Sequence, residues 1–350
     1  MNTRTDPGPK AGRPATPAAI ETARDLVDPA LHKAVGRLDD EGMRRVAGYQ
    51  LGLWDADGQP SAHGRGKAVR PALVLLAARA VCGSAEPGVP GAVAVEMVHN
   101  FSLLHDDIMD RDVERRHRPT GWVVFGEGQA ILAGNAMLTA ALETLLHDDP
   151  RHGDTVPALL SCVQRLINGQ SADLALEHDD TAVIEDVLAM EEGKTAALIA
   201  SSLEIGALAA GADRATVERL YEAGRLVGLA FQLVDDVLGV VGDAAVTGKS
   251  SSSDVRAGKR SAPVVAALRS GTPASAQLGE LLRAGPPSSE ADVERILALI
   301  DAAGGLDWAR REAEHLLAAA RTELDRAGLA DAAATRDLHE VVDFLVRRDW

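Results

Sequence analysis

From Ile20 onward the chain consists of apolar segments of helical length. Short Gly, Pro and Ser breaks separate them, near Asp55 to Gly66, Gly83 to Gly91, Asp148 to Asp154, Gly211 to Asp213 and Ser270 to Ser289. Val69 to Val81, Ala92 to Asp110, Ala130 to Leu146, Ile199 to Ala210 and Arg225 to Val240 are apolar around much of their circumference, as helices buried in a large bundle are. Aromatics make up 3% of the 350 residues while Ala and Leu dominate, and these side chains lose little rotamer freedom in a helix. An all-α fold follows, with almost no sheet. No break is long enough to be a linker, so residues 18–350 are expected to form a single domain behind a flexible tail at 1–17, rich in Pro, Gly and Thr.

With 36 basic and 52 acidic residues the formal charge is -16, which argues against a nucleic-acid partner and requires any anionic ligand to be held locally. Cys82 and Cys162 have neither CxxC nor Cys/His spacing, so no disulfide framework or zinc site is indicated, and a cytoplasmic location is expected. The N-terminus lacks the apolar stretch of a signal peptide. No apolar run approaches the ~20 residues that span a bilayer, so the protein is not expected to be integral to a membrane.

Two apolar segments end in paired aspartates, Asp106-Asp107 and Asp235-Asp236. At ~100° per residue Asp106 and Asp110 lie one turn apart on one helix face, with His99 on the same stripe two turns earlier. Like charges so placed repel unless a cation intervenes, and oxygen-only ligands suit Mg²⁺ bridging to phosphate. A solvated helix end accounts for a lone DDxxD pattern equally well. Arg111, Arg115, Arg116 and Arg118 follow directly, offering planar donor forks to phosphate oxygens, and the second acidic pair likewise precedes Lys249 and Lys259. Four of only six lysines, Lys67, Lys194, Lys249 and Lys259, stand in Gly-Lys pairs, where the small neighbour lets a ligand approach closely. Gly193-Lys194-Thr195 is not a nucleotide-binding P-loop, because Leu188 stands where that motif needs a glycine.

These elements resemble the E-type polyprenyl synthetase family, the trans-isoprenyl diphosphate synthases, over roughly residues 60 to 265. Gly66-Lys67-Ala68-Val69-Arg70-Pro71, Asp106 to Asp110, Arg115-Arg116, Gly193-Lys194-Thr195, Phe231 to Asp236 and Gly248-Lys249 through Asp254 to Gly258-Lys259 occur in the family's order. The resemblance implies an isoprenoid synthase-like helical bundle with a central apolar pocket, working as a homodimer. It further implies that Lys67, Arg70, His99 and Arg116 hold isopentenyl diphosphate. Arg115, Lys194, Thr195, Gln232, Lys249 and Lys259 would contact an allylic diphosphate, and Asp106, Asp110 and Asp235 would bind two or three Mg²⁺ ions. Asp106, Asp107, Asp110, Arg115, Lys194 and Asp235 form the expected catalytic set.

One departure is that the second motif ends in Gly239, where the family's common pattern has a third Asp; Asp243, a turn further on, is a candidate replacement. His117 stands where the family often has Gly, and is expected to be a loop residue. Phe101 and Ser102, five and four residues before the first Asp, occupy the family's chain-length positions, and a single aromatic there implies geranylgeranyl diphosphate (C20), with farnesyl diphosphate (C15) next. The alternatives are a class I terpene cyclase, which has little use for Lys67, Arg70, His99 and Arg116, and a non-catalytic subunit of a heteromeric synthase, which fits poorly with an intact first motif.

Overall fold

A computed structural model of the protein describes residues 16–61, 66–176, 179, 181–241 and 252–347. Its helices are α1 (Ala18–Gly36), α2 (Glu41–Leu51), α3 (Val69–Cys82), α4 (Val89–Met109), α5 (Gly121–Phe125), α6 (Glu127–Asp148), α7 (His152–Leu176), α8 (Ile184–Glu191), α9 (Ala197–Ala209), α10 (Arg214–Val241), α11 (Ser253–Arg256), α12 (Ala262–Arg269), α13 (Pro273–Arg283), α14 (Glu290–Ala302), α15 (Gly305–Arg326) and α16 (Ala332–Val346). The described strands are two-residue pieces, β1 (Glu114–Arg115) and β2 (Arg118–Pro119), paired antiparallel. The all-α expectation holds. The break expected at Ser270 to Ser289 instead contains α13, which starts at a Thr272 N-cap with Pro273 in its first turn, where a missing N–H costs nothing. Helix α4 begins earlier than expected for the same reason, with Pro90 in its first turn.

The long helix α10 runs through the bundle, packed on α9 and α15, while α4 lies between α3 and α6. One apolar core extends from Ile20 to Val346 and takes in α1, α3, α4, α7, α9, α10 and α16. A satellite core formed by α11 to α15 packs on Val237 and Val240 at the end of α10, and a smaller one beneath the first aspartates joins Leu104, Ile108, Ala130 and Ala133. Helices α9 and α10 approach closely because Gly224 and Gly228 present no side chain to the backbone of Ala200 and Ala196. Contrary to the expectation that no apolar run is of spanning length, helix α6 is long and apolar enough to cross a membrane by length and composition. Part of that apolar character is spent inside the bundle, where Ala130, Ala133, Met137 and Leu145 are buried.

Candidate active site

Four of the expected diphosphate-binding residues meet in space. Lys67, Arg70, His99 and Arg116 line one cavity of about 220 Å³, together with Glu96, Phe231, Phe344 and Leu345. Arg70 opens α3 and His99 faces it from α4, with Nη1 and Nε2 3.3 Å apart. Burial, followed by the charges of Arg70, Arg116 and Arg115, pushes the imidazole well below its ordinary value, so His99 is neutral. Burial also lowers Arg70, while Glu96 acts in the opposite direction. The Arg70 Nε is buried without a hydrogen-bond partner. An orphan donor beside two further cations, set against the single carboxylate Glu96, makes this cavity a site for an anion. Its far wall is apolar and comes from Phe231 of α10 and from Phe344 and Leu345 of α16; the Lys67 ammonium lies 5.5 Å from the Phe344 ring centre.

Arg116 reaches the cavity from a strained position. It and His117 are the two central residues of the β1–β2 hairpin, with φ 55° and 59°, the geometry of a type I′ turn. His117 is an exposed loop residue, as expected. Of the four arginines that follow the first aspartates, two turn away: Arg111 pairs with Glu127 at 3.2 Å, and Arg118 stacks 4.0 Å from the Tyr49 ring centre. Arg115 stays and binds Asp107 through Nε. Asp107 is 1% exposed, and so holds Arg115 in place instead of presenting a free carboxylate.

Asp106 and Asp110 occupy the other face of the α4 terminus. Helix α4 stops there in a Schellman motif, with Asp112 N–H donating to Asp107 O at 2.9 Å and Arg111 in the left-handed conformation. Burial raises the Asp106 carboxyl to about 6; Lys194 and Arg115 oppose the shift, while Asp110 and Asp173 add to it.

Lys194 and Thr195 sit on a π-helical insertion, Glu192–Ala196, between α8 and α9. A Cβ on Gly169 of α7 would lie 2.2 Å from Lys194 N, and one on Gly193 would lie 2.9 Å from Gly169 Cα. Gly193 therefore allows two helices to touch, where a ligand approach was expected. That contact places the Lys194 ammonium on Asp173, four residues beyond Gly169. Burial works against the charge of Lys194, but Asp173 and then Asp106 raise its pKa above the ordinary value. A hydrogen-bond chain continues into α10: Thr195 Oγ1 donates to Gln232 Oε1 at 2.8 Å, and Gln232 Nε2 donates to Asp236 Oδ1 at 2.7 Å. Asp236 is buried and accepts the Ala262 N–H at 2.9 Å, and Asp235 beside it is half-buried. Lys259 is exposed in the turn after α11, and Lys249 and Asp243 lie outside the described residues.

Asp173 was not predicted, nor was Gln170, a turn earlier on α7, whose amide oxygen and nitrogen are both buried without partners. Each is a lone polar residue on an amphipathic helix, and nothing local distinguishes it from a solvated face. Glu96 was missed for the same reason, and Phe344 and Leu345 because an apolar residue on a helix reads as core.

The acidic face fits a divalent ion. A carboxylate raised by burial and by like charges requires a cation, and its donors are all oxygen. Among the described residues no group of three or more His, Cys, Asp or Glu side chains is placed to hold a metal ion without further ligands.

A polyprenyl synthetase family profile matches residues 59–300. The chain is 44% identical over 328 residues to a (2E,6E)-farnesyl diphosphate synthase of Mycobacterium tuberculosis, covering 92% of this chain and 91% of that protein. It is 42% identical over 335 residues to a geranylgeranyl diphosphate synthase of the same organism, covering 95% and 94%. A polyprenyl synthetase from Streptomyces coelicolor superimposes with a TM-score of 0.89 at 44% identity, over 95% of this chain and all of that one, 100%. A geranylgeranyl pyrophosphate synthase from Corynebacterium glutamicum, complexed with isoprenyl diphosphate and magnesium, superimposes with a TM-score of 0.81 at 27% identity, over 96% and 100%.

Proposed function

The chain belongs to the polyprenyl synthetase family and condenses isopentenyl diphosphate with allylic diphosphates, and we propose that its main product is linear geranylgeranyl diphosphate, with farnesyl diphosphate next. The convergence of Lys67, Arg70, His99 and Arg116 on one cavity carries the assignment of residues, because a cyclase that ionises a single allylic diphosphate needs no second anion site. Isopentenyl diphosphate binds there. The allylic diphosphate lies between Asp106, Asp110 and Asp235 on one side and Arg115 and Lys194 on the other, with Thr195, Gln232, Lys249 and Lys259 as further contacts. Two or three Mg²⁺ ions bound by the aspartates supply positive charge against the diphosphate that leaves.

Each of the chain's own residues has a positioning reason. Asp107 fixes Arg115, Asp173 fixes Lys194, and Asp236 with Gln232 orients Thr195. All of this is in place before charge develops, so no reorganisation is required as the C–O bond breaks. The alkene of isopentenyl diphosphate attacks the allylic carbon, and the departing diphosphate takes the proton. His99 is neutral, packed among cations, and serves as a hydrogen-bonding partner of a diphosphate.

Chain length rests on α4. Phe101 is buried and packs edge-on against His105, their ring centres 5.3 Å apart, and His105 in turn fills the space left by Gly134 of α6. Ser102 returns its hydroxyl to His99 O at 2.8 Å and leaves the Asp106 face without an aromatic. The reading of Phe101 as the floor that limits growth rests on its place five residues before Asp106. A homodimer is supported by Leu160, Ile167 and Leu174, exposed at heptad spacing on α7, and by exposed Ile131 and Leu132 on α6. A reducing cytoplasm suits two free cysteines.

The test is incubation of the purified protein with Mg²⁺, isopentenyl diphosphate and, separately, dimethylallyl, geranyl and farnesyl diphosphates, with products identified by mass. A linear C20 diphosphate is expected, and Phe101→Ala should lengthen it. A C15 product would correct the chain length alone; a cyclic hydrocarbon from one allylic diphosphate would overturn the assignment of the second cavity.

A further inference from the structure

Helix α1 buries Ile20, Ala23, Val27 and Leu31, a stripe at helical spacing that seats it on α3 and α4. Arg24 stands at the edge of that stripe, half-buried, and reaches the backbone beside the cavity: its Nη2 donates to Gly66 O at 3.1 Å. Gly66 is in contact on its other side as well. A Cβ there would lie 3.0 Å from Arg116 Nη2, 3.2 Å from Nη1 and 3.3 Å from Cζ, so the bare Cα is the surface on which the Arg116 guanidinium rests. Lys67 follows at once, and Ala68 turns the chain into α3 with φ 55°, a left-handed conformation that an alanine keeps only where its surroundings hold it.

Helix α2 holds the second loop. Tyr49 is buried, and its hydroxyl donates at 2.7 Å to Pro119 O, in β2 of the hairpin whose turn carries Arg116. Its ring packs edge-on to Phe125, centres 5.3 Å apart, and takes the Arg118 guanidinium on its face. Arg118 also donates to Trp54 O at 3.4 Å, and Trp54 Nε1 donates to Arg45 O of α2 at 2.9 Å. Lys67, Arg70 and Arg116 bring like charges into one cavity and repel one another. Hydrogen bonds from α1 and α2 to neutral backbone carbonyls oppose that spreading. Both helices precede residues 59–300, the stretch the family profile matches, so none of the ordered motifs includes them.

We propose that Arg24 of α1 and Tyr49 of α2 are positioning residues of the isopentenyl diphosphate subsite, Arg24 fixing the backbone that presents Lys67 and Tyr49 fixing the hairpin that presents Arg116. The proposal rests on the synthase reading above. Neither side chain lines the cavity; each acts through a carbonyl of a basic loop, and the two loops meet at Gly66. The cations are thereby gathered before the anion arrives, which removes an ordering cost from binding.

The test is steady-state kinetics of the full-length protein with Mg²⁺, isopentenyl diphosphate and geranyl diphosphate, each substrate varied in turn, with the thermal unfolding midpoint of every variant measured alongside. Arg24→Ala should raise KM for isopentenyl diphosphate about five- to tenfold, the scale of one hydrogen bond from a charged donor. KM for geranyl diphosphate and kcat should stay within about twofold, because the aspartate face is held by other partners. Arg24→Lys keeps a donor and should recover part of the loss. Tyr49→Phe keeps the ring for Arg118 and removes the hydroxyl alone; it should raise the same KM about threefold. An unchanged KM for isopentenyl diphosphate in Arg24→Ala and Tyr49→Phe, or a loss shared equally by both substrates together with a lower midpoint, overturns the positioning role and leaves the synthase reading standing. Wild-type turnover of geranyl diphosphate that needs no isopentenyl diphosphate overturns both.

Discussion

Asp106 sits where burial disfavours its own charge, and its carboxyl rises from 3.8 to about 6 as a result. A divalent ion binds the ionised form, so Mg²⁺ affinity should be level at neutral pH and fall roughly tenfold per pH unit below about 6. The Mg²⁺ concentration that half-saturates pyrophosphate binding, measured from pH 5 to 8, checks this; an affinity independent of pH below 6 would place the ion elsewhere. The sign for folding is opposite. A raised carboxyl binds its proton more tightly when folded, so in the absence of metal the stability it contributes declines as pH rises from 3.8 to about 6. His117 shows a different residue-scale constraint. A left-handed φ costs a non-glycine residue about 1–2 kcal/mol, partly offset by the freedom glycine loses on folding. His117→Gly should therefore stabilise the protein by about 0.5–1 kcal/mol in urea unfolding, with the Arg116 conformation retained.

At the scale of elements, the π-helical insertion and the second aspartate helix are joined by a buried acid pair. Glu191, the last residue of α8, is raised well above the carboxylate range by burial and then by Asp236. It keeps its proton and donates it to Asp236, itself raised to about 6 by burial. Lys194 and Thr195 follow within one turn of Glu191, so this bond helps set where they point. Glu191→Gln preserves a donor, whereas Glu191→Ala leaves Asp236 short of one, at a cost of about 1–3 kcal/mol. The folded state of the wild type holds a proton that the unfolded chain gives up above 4.5. The wild type should therefore lose stability relative to Glu191→Gln as pH rises from 5 to 8. Urea unfolding of the two proteins at both pH values measures the difference; a gap that does not widen would mean Glu191 is ionised.

At the scale of the whole molecule, the cavity proposed for isopentenyl diphosphate is lined by residues far apart in the chain. Lys67 and Arg70 open α3, while Phe344 and Leu345 come from the last helix, α16, which packs on α3. Phe344 supplies an apolar wall and a ring face 5.5 Å from the Lys67 ammonium. Phe344→Ala should raise KM for isopentenyl diphosphate about three- to tenfold, since a cation–π contact with some desolvation is worth about 0.5–1 kcal/mol or more. The allylic KM and kcat should change little, which separates a wall of one subsite from general loosening.

The sequence alone determined what depends on local spacing. Helical character followed from apolar periodicity and Ala/Leu content, and the pairing of Asp106 with Asp110 on one face from the helical repeat. The resemblance that ordered motifs allow then singled out Lys67, Arg70, His99 and Arg116 for one anion, and these meet in one cavity. Only the tertiary structure decided what depends on a partner from elsewhere in the chain. Asp107 is turned inward onto Arg115, Asp173 holds Lys194, and Gly193 makes room for Gly169 and not for a ligand. A lone polar residue carries no periodicity of its own; its role comes from the side chain or backbone that the fold brings against it, and that contact is between residues far apart in the sequence.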